Sequence, residues 1–328
     1  MRKLFRWILR GVVAVLALVL AYVVASVAYT HAHERDVATQ AAPAGGRFAN
    51  AGGVSVYSQA HGDLHAGTPV LLVHGTAAWS GTWFNLVPAL VQAGHPVIAV
   101  DLPPFGYSDK ATTLDFTRPA QAERLRATLD AWGVRRAIVV GHSFGGGPAL
   151  EFALRAPERV ERLVLVDAAL GLQASPPDPS SLACRMLATP ALRNPLISAT
   201  AANPLWSGTL LRSFVARKAA VTPERLQAYR APASLRGASA ALAAWSNHFA
   251  CESEHGASTD PARLRTLQPP LFLLWGREDT ITPLAQAEFL ATLVPATRLR
   301  VIDGVGHIPH IEAPDAFPPA LLDTLAAP

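Results

Sequence analysis

The first strong pattern along the chain is a run of 20 residues without a charge, 11–30, reading GVVAVLALVLAYVVASVAYT. As a helix it reaches about 30 Å, the thickness of a bilayer's hydrocarbon core. A helix also satisfies its own backbone amides, which lipid requires. The run therefore predicts a transmembrane anchor over 11–30, preceded by a short basic segment, 1–10, and followed by a polar linker, 31–47. From Phe48 onward the pattern changes. Short apolar runs at 70–73, 97–100, 137–140, 163–166 and 271–275, with a further one near 298–302, alternate with helical stretches at 83–93, 118–132, 145–155, 284–293 and 314–325. The runs are continuously apolar rather than alternating, as parallel strands covered on both faces are. Strand–helix alternation of this kind predicts an α/β fold with a doubly wound, mostly parallel sheet.

The rhythm breaks between Leu170 and Asp260. That stretch holds a Pro- and Ser-rich turn at 175–179 and helical patterns at 205–219 and 238–249, with no convincing strand. An insertion leaving one strand and returning before the next sits at the carboxyl edge of the sheet, where open α/β folds bind ligands. The expected organisation is a core of 48–169 and 261–328 under a helical cap, 170–260.

Charge sharpens the first prediction. Arg2, Lys3, Arg6 and Arg10 are the only charged side chains before residue 31, so the N-terminus is expected to stay cytoplasmic and the body to lie outside. A cleaved signal peptide is the competing reading, because Ser26-Val27-Ala28 resembles a small-residue cleavage site. Without those four cations the chain carries 24 basic and 24 acidic residues, which leaves no excess for a nucleic-acid surface. Half of the residues are hydrophobic and 16% charged, with a mean hydropathy of +0.24, which excludes intrinsic disorder. Cys184 and Cys251 are the only cysteines; they either pair in an oxidising compartment or stay buried as thiols. His31 and His33 have no third ligand nearby, so no metal and no cofactor is expected.

The candidate chemistry starts at Gly141-His142-Ser143-Phe144-Gly145, directly after one predicted strand and opening a helix. A serine on so sharp a turn has its hydroxyl presented at the sheet edge, and the glycines leave room for the strained backbone. A serine hydroxyl needs a base, and in this chain order an acid and then a histidine should follow. Asp279 lies just past the 271–275 strand, and His307 follows Gly304-Val305-Gly306 after the last strand. Asp279 would hold the imidazole tautomer and stabilise its charged form. Asp167, also at a strand end, is a rival acid, whereas Glu278 should point elsewhere. His310 is a rival base but reads better as structural. His142 and His74 read as packing residues. Oxyanion donors are expected from the backbone N–H groups of Phe144 and of Thr76, the latter after the 70–73 strand.

These pieces together resemble the α/β-hydrolase fold superfamily, in its capped branch of esterases, carbon–carbon bond hydrolases and haloperoxidase-like enzymes. The resemblance rests on His74-Gly75 with Trp79 and Trp83, Asp101-Leu102-Pro103 with Phe105 to Asp109, the Ser143 turn, 276–283 and 304–307. Pro104 stands where members of that family often carry glycine, and Ser143 stands where its dehalogenases and epoxide hydrolases carry aspartate. The resemblance implies a serine hydrolase with a Ser143–Asp279–His307 triad and a small acyl substrate. The aromatic cap (Trp206, Phe214, Trp245, Phe249) points to an uncharged ester, so the expected protein is a membrane-anchored carboxylesterase or lipase-like enzyme. Carbon–carbon cleavage or perhydrolase chemistry with the same triad is the alternative, and a non-catalytic binding protein on the same frame is a third.

Overall fold

The computed structural model describes residues 2–172 and 175–326. Eight strands among these residues form one sheet: β1 (Arg47–Ala51), β2 (Val54–His61), β3 (Val70–Val73), β4 (Val97–Val100), β5 (Ala137–His142), β6 (Val160–Val166), β7 (Leu271–Gly276) and β8 (Arg298–Ile302). Their spatial order is β1-β2-β4-β3-β5-β6-β7-β8, with β3 to β8 parallel and β1 and β2 antiparallel at one edge. Among the described residues, eleven helices of seven residues or more accompany them: α1 (Arg2–His33), α2 (Leu86–Gln92), α3 (Arg118–Ala131), α4 (Gly146–Arg155), α5 (Leu182–Ala188), α6 (Pro190–Ala199), α7 (Pro204–Phe214), α8 (Pro223–Arg230), α9 (Ala238–Cys251), α10 (Ala285–Leu293) and α11 (Phe317–Ala326).

The strand sequences explain the layers. Successive side chains alternate between faces, so Leu71, Val73, Val139, Leu163, Leu165 and Leu273 join α3, α4 and α10 in one core cluster. Val70, Leu72, Ile138, Val140, Val164 and Leu274 join α2 and α11 in the other. Both faces are dry, which is why these strands carry no polar alternation. Strand order reverses at β3, whose neighbours are β4 and β5. The loops after β3 and β5 therefore flank the crevice at the switch point of the sheet.

Between β6 and β7, α5 to α9 form the cap, and no strand occurs there among the described residues. Three of its helices open with a polar residue followed by proline: Thr189-Pro190, Asn203-Pro204 and Thr222-Pro223. Proline supplies a preset first turn, while Asn203 and Thr222 accept from backbone amides inside it. Cys184 and Cys251 are disulfide-bonded, tying α5 to the end of α9 with a Cα–Cα distance of 5.5 Å. Closing a loop of that length removes about 4 kcal/mol of unfolded-chain entropy in the loop-closure account.

Several sequence expectations are corrected. The helix expected over 83–93 is a 3-10 turn (Ser80–Trp83) and then α2, separated by Phe84 at φ 42°. The helix expected over 205–219 stops at Phe214, because the amides of Ala216 and Arg217 turn to the Glu312 carboxylate instead of continuing the helix. The last helix begins at Phe317 rather than 314. The 31–47 segment is no free linker. It carries the end of α1 and a short helix (Ala38–Ala41), and it is strapped to the cap. Asp36 pairs through its backbone with Ser234 and Arg236, and the Glu34 carboxylate accepts from the Ser239 amide at 2.8 Å. The β1–β2 hairpin was not foreseen at all.

Candidate active site

Ser143 sits at φ 50°, the left-handed region that a residue with a β-carbon enters at a cost. It links the end of β5 to α4 through a single 3-10 turn. The turn closes because the residue at 145 has no side chain: a β-carbon there would lie 2.5 Å from the backbone oxygens of Val73 and His74. Gly75 is pressed equally close, since a β-carbon on it would stand 2.9 Å from the Ser143 β-carbon. The loop leading into Thr76 thus lies directly against the serine turn.

The Ser143 hydroxyl is 2.8 Å from His307 Nε2, and His307 Nδ1 is 2.8 Å from Asp279 Oδ2. All three residues are buried. Asp279 Oδ1 accepts from the amides of Ile281 and Thr282 at 2.8 and 3.0 Å, and the Thr282 hydroxyl lies 2.6 Å from Oδ2. Burial pushes the Asp279 carboxyl up, but the bonds from His307 and Thr282 outweigh it and hold it below the usual carboxylate value. Asp279 is thus ionised, His307 donates Nδ1–H to it, and Nε2 is left to accept the serine proton. Such a chain is able to make an alkoxide-like nucleophile and return a proton to a leaving group.

The rivals are placed elsewhere. Asp167 faces the backbone, with Oδ1 accepting from the Gly276 amide at 2.8 Å. Burial, then the neighbouring Asp279 charge, raises its carboxyl well above 3.8, so it is neutral where Asp279 is charged. Glu278 accepts from the Val305 amide at 2.8 Å. His310 is buried against Trp83, ring centroids 4.8 Å apart. His74 donates from Nδ1 to the Gly75 carbonyl at 2.8 Å and accepts the Leu102 amide on Nε2 at 3.0 Å, which fixes the loop after β3. Burial pushes it down to about 4.

Three residues at the site were missed or undervalued. His142, pushed down to about 3 by burial and then by His307, gives its Nε2–H to the His307 carbonyl at 2.8 Å and so holds the histidine's own backbone. Thr282 holds Asp279. Glu312 gathers four amides on one buried carboxylate: Gly306 and Ile308 on either side of His307, and Ala216 and Arg217 from the cap. No spacing rule flags such residues, because their partners are backbone groups of distant loops. Over the serine, Phe144 packs edge-on with Trp245, which stacks on Phe249, while Phe214 lies 5.9 Å from the His307 ring. Among the described residues no group of three or more His, Cys, Asp or Glu side chains could hold a metal ion.

With this geometry in view, the profile described as alpha/beta hydrolase fold matches residues 68–314. The chain belongs to the α/β-hydrolase family. Among its relatives, the 2-hydroxymuconate semialdehyde hydrolase of Pseudomonas sp. (strain CF600) is 31% identical over 270 residues, 80% of this chain and 89% of that enzyme. The crystal structure of the meta-cleavage product hydrolase CumD superposes with a TM-score of 0.64 at 27% identity, over 85% of this chain and 97% of that one. A membrane phospholipase A described as a bacterial virulence factor superposes with a TM-score of 0.67 over 98% of both chains at 23% identity. That last likeness is one of fold, and its coverage takes in most of α1. This α/β hydrolase is therefore a hydrolase by family, with one N-terminal helix long and apolar enough to cross a membrane.

Proposed function

We propose that this α/β hydrolase is a membrane-anchored serine hydrolase. Ser143 attacks a carbonyl carbon, His307 takes its proton and passes it to the leaving group, and Asp279 orients and stabilises the imidazolium. The backbone N–H groups of Phe144 and Thr76 hold the oxyanion, and water activated by His307 releases the acyl group. The observation carrying this reading is the unbroken hydrogen-bonded chain from Ser143 through His307 to an ionised Asp279.

For the bond cleaved, the comparisons favour carbon–carbon hydrolysis of a 2-hydroxy-6-oxo-dienoate, because relatives at 27–30% identity are named as a meta-cleavage product hydrolase and a 2-hydroxy-6-oxo-6-phenylhexa-2,4-dienoate hydrolase. Ester hydrolysis is the second reading, and the aromatic lining favours it. Phe144, Phe214, Trp245 and Phe249 offer an apolar wall, while the nearby cations Arg118 and Arg217 are already bonded to backbone carbonyls. Retention of α1 as an anchor is supported by hydrogen bonds from the cap to Tyr22 and Ser26, which cleavage after Ala28 would remove.

Labelling with a fluorophosphonate probe tests the nucleophile: the full chain takes up the probe and Ser143→Ala does not. Folded wild-type protein that resists the probe would instead favour a binding protein on a hydrolase frame. A panel of 2-hydroxy-6-oxo-dienoates and of aryl esters with short and long chains then decides between the two bonds.

A further inference from the structure

The cap holds α1 at an unexpected depth. The Tyr22 hydroxyl donates to the Ala199 carbonyl at 2.7 Å and accepts from the Trp206 indole at 2.7 Å. Asn203 donates to Ser26 Oγ at 3.1 Å, and Ser26 is buried. The end of α6 and the start of α7 therefore grip α1 at residues 22–26. Tyr22 lies eight residues before the end of the charge-free run, about 12 Å inside it.

Two placements satisfy this geometry. Either residues 22–30 are drawn out of the bilayer, or the cap descends to meet them. The first drags the N-terminal arm inward by the same distance, bringing Arg6 and Arg10 into hydrocarbon, where an unpaired charge is strongly disfavoured. The second needs a cap surface that lipid accepts, and the cap has one. Among the described residues, eight large apolar side chains outside α1 are exposed, and five of them are on α6 and α7: Leu192, Leu196, Leu205, Trp206 and Leu210. These are the two helices that bond to α1. Leu205 alone is 76% exposed. Residues 170–260 also carry eight basic against five acidic side chains, a balance suited to anionic headgroups.

We propose that the α6–α7 face is a membrane seat, sunk into the headgroups and upper acyl chains of the leaflet from which α1 emerges. The occupant is a phospholipid surface, because the helices that carry these exposed side chains are bonded to α1 within its apolar run. This inference rests on the anchor reading above. It also sets the distance to the chemistry: α7 begins in the seat and ends at Phe214, whose carbonyl accepts the His307 amide at 3.2 Å. The catalytic histidine then stands one short helix, about 15 Å, from the lipid.

The test uses the full chain, disulfide intact, in nanodiscs of phosphatidylcholine and phosphatidylglycerol. A single environment-sensitive fluorophore is attached in turn at Leu205→Cys, Leu192→Cys, Leu16→Cys and Glu158→Cys, all exposed positions. Variants with an unchanged melting temperature are read with lipids bearing a nitroxide high on the acyl chain. The expected result is about a twofold loss of emission at 205, 192 and 16, with none at 158, matching a face sunk about 5–10 Å. Quenching at 16 without quenching at 192 and 205 would overturn the seat and leave the anchor standing. No quenching at 16 would overturn both. Cross-linking between copies through 205, with no lipid quenching there, would assign the face to a second chain and also overturn the seat.

Discussion

The carboxyl rim of the sheet and the seam between α1 and the cap are both held together by polar side chains, yet they are built on opposite terms. At the rim the polar groups are ionisable, and one of them, Asp279, is kept charged by hydrogen bonds from His307, Ile281 and Thr282. At the seam Tyr22, Ser26, Asn203 and Trp206 are all neutral and satisfy one another or a backbone carbonyl. Charge is kept at the rim, where donors surround it, and is absent from the seam, since an unpaired buried charge costs far more than a paired hydroxyl.

The sharpest way to break this contrast is at the rim. Ser143→Ala is expected to lower kcat by about 10⁴- to 10⁶-fold, measured with whichever substrate the panel selects. Asp279→Asn should cost about 10⁴-fold in kcat by presenting the wrong imidazole tautomer. Asp167→Asn, one strand away, should leave kcat nearly unchanged. Because folding raises the Asp167 pKa, its ionisation favours the unfolded chain at any pH above about 3.8. The asparagine variant should therefore melt higher than wild type at neutral pH, with the gap closing toward pH 4. Equal kcat losses in the two variants would erase the distinction between the carboxylates.

Acid provides the next largest effect. His74, His142 and His310 are all held neutral by burial, with pKa values lowered to about 4, about 3 and well below 6.5. The unfolded chain takes up those protons near pH 6.5 and the folded one does not. Stability should be full above that value and fall as pH drops toward 4, by about 1.4 kcal/mol per unit for each histidine. Denaturant titrations between pH 7 and 4 measure this, and a flat profile would contradict the buried neutral cluster.

The cap should respond differently. Cys251→Ser is expected to destabilise by about 2–4 kcal/mol, read as a lower denaturation midpoint with no change in fluorophosphonate labelling of the folded fraction. Asn203→Ala, which removes the donor to Ser26 Oγ and the acceptor that caps the Leu205 amide, should cost about 1–3 kcal/mol and leave kcat intact in detergent. A loss of kcat on that change would mean the seam and the rim are not separate.

What was legible in the chain follows the same division. The strands β3 to β7 were readable because they run through the core as nearly unbroken apolar segments, and Ser143 and Asp279 because each follows such a strand; β8 is half-exposed, and His307 was legible from the Gly304-Val305-Gly306 loop after it. The β1–β2 hairpin was overlooked because its residues alternate, as in Val54-Ser55-Val56-Tyr57-Ser58, and pair at the sheet edge. Its Gly52-Gly53 turn was the available signal. Thr282 and Glu312 left no mark, since a carboxylate bonded to four amides depends on which loops meet, and only the folded chain decides that. The same holds for Asn203 and Ser26, 177 residues apart.

The bond between Cys184 and Cys251 gives the molecule a built-in record of which way it was threaded. Delivered to a thiol-rich compartment, the two sulfurs would stay reduced and take up an alkylating reagent once the chain is denatured. Delivered to an oxidising one, they would refuse it. Alkylation of freshly lysed cells, read as a mass shift on the denatured chain, thus reports orientation from a pair of residues far from either terminus.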